Sequence, residues 1–81
     1  MSKILIIDDE PQIRRFLQIG LTAQGYTILE ADNGRQGLAL AAEIMPDLII
    51  LDMGLPDLDG QVVLKKLRDF FHQPIIVLSV R

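Results

Sequence analysis

Three unbroken aliphatic runs, at residues 4–7, 48–51 and 75–78, are the strongest pattern in the chain. Each is built only of Ile, Leu and Val, without the polar alternation of a strand that has one wet face. Such runs suit strands buried on both sides, as in a parallel sheet covered by helices. Residues 26–29, containing Tyr26, Thr27 and Ile28, read as a less uniformly apolar strand near a sheet edge. Between the strands the apolar spacing changes to three and four. Ile13, Phe16, Leu17 and Leu21 form one face of a first helix. Asp9 is its candidate N-cap, with Glu10 and Pro11 in the first turn, and Gly25 suits its stop. A second helix is expected over residues 35–44, with Leu38, Ala41, Ala42 and Met45 facing inward and Pro46 ending it. A third is expected over residues 61–71, using Val63, Leu64, Leu67 and Phe70 or Phe71, with Asp59 as its N-cap. The order βαβαβαβ implies right-handed crossovers and an open parallel α/β sheet.

The first three strands should end near Asp8, Glu30 and Asp52, which are equally spaced along the chain, and the fourth near Ser79. Polar residues thus fall at the carboxyl ends of successive strands, where open α/β sheets place their ligands. Composition narrows the picture. The chain has 81 residues, 49% of them hydrophobic, a formal net charge of −3, and no cysteine. This is one small globular domain. Disulfides and thiolate metal sites are excluded, and the scattered bases give no nucleic-acid surface. No apolar run is long enough to cross a membrane, and Asp8-Asp9-Glu10 interrupts the first one too early for a signal peptide. A cytoplasmic protein is the expectation.

If strands one and three are neighbours, roughly 4.8 Å apart, Asp8, Asp9 and Asp52 converge where the strand order reverses. Alone they would repel one another and raise one another's pKa values. A hard divalent cation relieves this. Mg²⁺ prefers oxygen ligands and keeps several waters, so such a cluster makes a plausible Mg²⁺ site with positions left open. Plainer roles compete: Asp9 as a cap only, Asp8 as a solvated strand end. Asp52 is harder to explain in that way, because it closes an aliphatic strand and precedes the tight turn Met53-Gly54-Leu55-Pro56. Asp57 and Asp59 read as turn and cap residues, Gly60 as a point of close packing, and His72 as a loop residue.

Residues 4–10 (Ile-Leu-Ile-Ile-Asp-Asp-Glu), residues 46–60 from Pro46 through Asp52 to Gly60, and residues 74–79 from Pro74 to Ser79 together resemble the receiver domain of two-component response regulators. The similarity spans the whole chain. Residues 51–60 and 12–17 are most similar to potassium-responsive members of the winged-helix subfamily. The resemblance implies an α/β, flavodoxin-like doubly wound parallel sheet in the order 2-1-3-4. It implies a signalling module rather than an enzyme, in which Asp52 takes a phosphoryl group from a sensor histidine kinase. It further implies that Asp8 or Asp9, Asp52 and the Met53 carbonyl hold Mg²⁺, one acid acting through water. Ser79 would offer the switch hydroxyl, and Gly54 would border the path of the hydrolytic water.

The sequence departs from the family pattern in several places. The family's Lys at the end of a fifth strand, and the last two helices, have no counterpart among residues 1–81, which read as the N-terminal part of a receiver domain. Slow or undetectable phosphoryl transfer is therefore expected, and Val80 stands where a small residue is usual. The fourth strand is expected to expose one edge and an apolar face, leaving Ile13 and Phe16 partly uncovered and favouring a homodimer, or else a chain only marginally folded alone. The competing readings are a module that binds metal or a partner without switching, and a haloacid-dehalogenase-type phosphatase. Gly54 argues against the phosphatase, which expects an acid there, and the absence of Gly between Asp8 and Arg15 removes a nucleotide-binding turn.

Overall fold

The computed structural model describes residues 2–78, so Ser79, Val80 and Arg81 lie outside the described residues. Four strands form one parallel sheet: β1 (Lys3–Ile7), β2 (Thr27–Ala31), β3 (Leu48–Asp52) and β4 (Ile75–Leu78). Their spatial order is β2-β1-β3-β4, as expected, with β1 paired to β2 on one side and β3 on the other. Helices α1 (Pro11–Ala23), α2 (Gly34–Ile44) and α3 (Gly60–Arg68) make the crossovers.

The unbroken aliphatic runs have their physical reason in this layering. Leu5 and Ile7 of β1, with Ile49 and Leu51 of β3, face α2 and α3 in a core that includes Ala41, Val63, Leu67 and Phe71. Ile4, Ile6 and Ile50 face the opposite way, against Leu17 and Leu21 of α1. Both faces of the two central strands are therefore dry, and neither tolerates a polar alternate. The second layer is thin. No residue of α1 is fully buried, and Phe16 is 75% exposed, so only part of the periodic face of this helix reaches the sheet. On β4, Ile76 and Val77 are also open to solvent.

Several local expectations are corrected. Asp9 does not cap α1: the N-cap residue is Glu10, and its side chain makes no capping bond. Asp8 takes that region instead, accepting the Glu10 amide on Oδ1 at 2.8 Å in an Asx-type turn. In α2, Leu38 and Ala41 face the core, but Ala42 and Met45 are exposed. Met45 leaves the helix in the left-handed region (φ 51°), which swings its side chain off the inward stripe before Pro46. β2 starts at Thr27 rather than Tyr26 and continues to Ala31, because it is hydrogen-bonded along β1 through the pair Ile7–Ala31. α3 ends at Arg68, and Phe71 is buried from the following turn, where its amide still donates to the Leu67 carbonyl at 2.7 Å. Asp59 caps α3 through the Gln61 amide, and Gly25 turns the chain after α1 with φ 94°, both as expected.

Candidate functional site

The site lies at the carboxyl edge of the sheet, and strand register builds it. Ile7 pairs with Leu51, so the next residues along the two central strands are Asp8 and Asp52. Asp8 is 3% exposed and Asp52 5%, the buried acidic residues among those described. With Asp9 from the β1–α1 turn, each offers a carboxylate oxygen, and these oxygens lie within 4.8 Å of one another. Three negative groups are thus gathered by two strand ends and one turn.

The surroundings hold Asp8 firmly and leave Asp52 free. The Asp8 amide donates to the Ala31 carbonyl at 3.0 Å, and its own carbonyl accepts from the Arg14 guanidinium at 2.7 Å. Arg14 also pairs with Glu30 at 3.0 Å, tying the first turn of α1 to the edge strand. Burial pushes the Asp8 carboxyl above its ordinary value. The Glu10 amide works against that, and the negative charges of Asp52, Asp9 and Glu10 add to it. Asp52 Oδ1 is buried and has no hydrogen-bond partner among the described residues. A buried, unpartnered carboxylate oxygen is costly unless something compensates it. A cation bound by the cluster would do so, and the donor set, all oxygen, suits Mg²⁺. Met53 follows Asp52 directly. Its carbonyl accepts the Gly60 amide at 3.3 Å, a long contact that leaves a second lone pair for a ligand.

Gly60 is required by this arrangement. A Cβ at position 60 would stand 2.5 Å from Met53 Cα and 2.8 Å from Met53 O, so the start of α3 rests directly on the backbone beside the pocket. Asp8, Asp9 and Asp52 are therefore brought together as the sequence suggests, with Met53 adjacent, and Ser79 lies outside the described residues. Two residues of the site escaped sequence reasoning. Arg14 was one of a scattered pair of bases; its position one turn into α1 was the available signal. Asp57 looked like a turn residue but binds the N-terminus of α2, a long-range contact without a local signature.

An acidic pocket thus sits at the switch point of a parallel β2-β1-β3-β4 sheet, and residues 4–81 match the response regulator receiver domain model. The chain belongs to that family. It is 52% identical over its whole length to the transcriptional regulatory protein KdpE of Mycobacterium tuberculosis, and 48% identical to the KDP operon regulator KdpE of Escherichia coli K12. It spans 36% of the length of each. Among solved structures it is similar to the response regulator TrrA of Thermotoga maritima in complex with Mg²⁺–BeF. The TM-score there is 0.92, with 36% identity, covering 100% of this chain and 71% of that one. A further similar structure is the complex of the histidine kinase ThkA with TrrA, with TM-score 0.90, 37% identity, and coverage of 99% and 70%. Among the described residues, no helix is long and apolar enough to cross a membrane.

Proposed function

We propose that residues 1–81 act as the phosphoacceptor part of a two-component signalling protein, with Asp52 as the acceptor. The observation that carries this reading is the buried, unpartnered Oδ1 of Asp52 beside two further carboxylates. Asp8, Asp9, Asp52 and the Met53 carbonyl would hold Mg²⁺, which when bound supplies positive charge to offset the acids and the incoming phosphoryl group. The Asp52 carboxylate then forms the new oxygen–phosphorus bond. The bond from phosphorus to the imidazole nitrogen of a sensor histidine kinase breaks, and that nitrogen keeps the electron pair. The kinase partner is supported by the resemblance to TrrA, which has been solved with the histidine kinase ThkA. The transcriptional output assigned to the KdpE relatives would belong to chain beyond the matched 36%. Ser79 follows Leu78, the register partner of Asp52, and this position supports its role as the switch hydroxyl.

The test is intact mass after incubation with Mg²⁺ and a small phosphodonor, for the wild-type chain and Asp52→Asn. Slow addition of at most one phosphoryl group to wild type, and none to the variant, is expected. Equal labelling of the variant refutes the assignment of Asp52, and no amide shift near Asp8, Asp9 and Asp52 on Mg²⁺ titration refutes the metal site.

A second property is favoured by the exposed groove of about 500 Å³ between α1 and β4. Ile13, Phe16, Leu17, Val77 and Leu78 line it, with Asp8 and Glu10 at its acidic end. In the 81-residue chain taken alone, this surface and the β4 edge favour a symmetric dimer. Sedimentation across micromolar concentrations tests it, and a monomer throughout is the refuting result.

A further inference from the structure

The loop from β3 to α3, residues 53–59, carries the Met53 carbonyl and Gly54 away from the acceptor, and it has little to hold it. Among the described residues, no backbone–backbone hydrogen bond involves residues 54–58. Leu55 and Leu58 pack against the core as half-buried side chains, which fixes depth but not register. Among the described residues, the one polar tether from this loop to an element other than α3 is Asp57. Its Oδ1 accepts the Gly34 amide at 2.7 Å and its Oδ2 the Arg35 amide at 2.9 Å, two donors left free at the first turn of α2. The Arg35 guanidinium lies 3.8 Å from the same carboxylate. The approach is close on both sides. A Cβ at Gly34 would stand 2.9 Å from Val63 Cγ2, 3.2 Å from Asp57 Oδ1 and 3.2 Å from Leu58 Cβ, so position 34 leaves no room for a side chain.

α2 already has a cap of its own. Asn33 accepts the Gln36 amide at 2.9 Å, so Asp57 is a second cap supplied by a distant loop. Desolvation opposes ionisation of Asp57, but the amides of Gly34 and Arg35, with those of Asp57 and Leu58, outweigh it and hold the carboxyl below its ordinary range. The clasp therefore stays charged at neutral pH.

We propose that Asp57 is a positioning residue for the acidic pocket: by clasping the N-terminus of α2, it fixes the loop that presents the Met53 carbonyl beside Asp52. This rests on the reading of Asp8, Asp9, Asp52 and Met53 as a metal pocket. At its near end, the loop is held where the Gly60 amide meets the Met53 carbonyl. At its far end it is held by Asp57, so the span between is fixed at two points. Releasing Asp57 leaves the loop tied only to α3, through the 3.3 Å Met53–Gly60 contact and the Asp59 cap. By reciprocity, a ligand that favours one position of Met53 must also tighten the clasp.

The experiment compares Asp57→Ala with Asn33→Ala. Both remove a cap from the same helix end, but only the first frees the loop. Mg²⁺ affinity is read from amide shifts of Asp8, Asp9 and Asp52, and thermal stability is measured in parallel. Partners outside a metal's direct ligands cost about 10–100-fold in affinity when removed, and a tether acting on one carbonyl falls at or below the low end, about 3–10-fold. Asp57→Ala should lose that much, Asn33→Ala less than about 2-fold at a similar loss of stability, and Asp57→Asn should recover part of the affinity. In wild type, Mg²⁺ should slow hydrogen exchange at the Gly34 and Arg35 amides. Equal affinities for the two alanine variants, or unchanged exchange at residues 34 and 35, overturn the positioning role while leaving the pocket in place. Failure of wild type to bind Mg²⁺ overturns both readings.

Discussion

Replacing Gly60 with Ala tests how tightly the first turn of α3 is seated on the end of β3. The added Cβ would lie 2.5 Å from Met53 Cα, 2.7 Å from its Sδ and 2.8 Å from its carbonyl oxygen. The sulfur can rotate away; the Cα and carbonyl cannot move without displacing the residue that follows Asp52. Overpacking of this kind costs about 1–3 kcal/mol, and a backbone obstacle belongs in the upper half of that range. Alanine recovers up to about 1 kcal/mol of helix propensity, less at a first helical position. The net loss is about 1–2 kcal/mol. For a domain of 60–100 residues each kcal/mol shifts Tm by about 4–8 °C, so a fall of roughly 5–15 °C is expected by calorimetry. Mg²⁺ affinity should fall as well, because the displaced atom is the carbonyl beside the pocket. Gly20→Ala is the internal control: no atom lies within 4 Å of its added Cβ, so it should gain about 0.5–1 kcal/mol. A Gly60→Ala chain that melts within about 2 °C of wild type and binds Mg²⁺ equally would refute the seating argument.

Asp52→Asn should raise the stability of the metal-free chain at neutral pH by on the order of 1 kcal/mol, since it removes one of three crowded charges, and urea midpoints with and without Mg²⁺ should show the gain shrinking as metal is added. Two phenylalanines should behave oppositely: Phe71→Ala, at a site with 0% exposure, should cost about 3–5 kcal/mol, whereas Phe16→Ala, 75% exposed, should change stability by less than about 0.5 kcal/mol. Asp57 sits below its ordinary value of 3.8 when folded, so its contribution is fully present above that value and drains as pH falls through the lower folded one. Urea midpoints followed through this acid range should fall more steeply for wild type than for Asp57→Ala, and parallel curves would contradict the clasp.

The features legible in the sequence are those set by burial alone. The aliphatic runs of β1, β3 and β4 could be placed nearly to the residue because both faces of a central strand must be dry. Once the strands were placed, Asp8 and Asp52 had to share an edge. The features that escaped depend on partners far along the chain. Ala31 joins β2 because β1 is there to bond it, and Asp57 caps a helix that begins 23 residues earlier. Periodicity marks a face but not its depth. Ile13, Phe16, Leu17 and Leu21 share one, how far it is covered depends on what lies opposite, and Phe16 meets little, in line with the expectation that it is partly uncovered. Met45 fits the inward stripe of α2 by spacing and leaves it only through a left-handed turn.

The pairing of β1 with β3, whose partners Ile4 and Leu48 lie far apart in the chain, has a consequence for how the protein comes into being. β1 precedes the other strands yet sits inside the sheet, so its four buried aliphatics must wait for β3 before both flanks are bonded. Long-range parallel pairing of this kind forms late and slowly. The acidic pocket arises only at that closing event, because its carboxylates come from either side of it. No segment that ends before β3 can gather the three carboxylates. The pocket thereby arrives in one step with the tertiary structure, and local opening of the β1–β3 seam would scatter it just as abruptly.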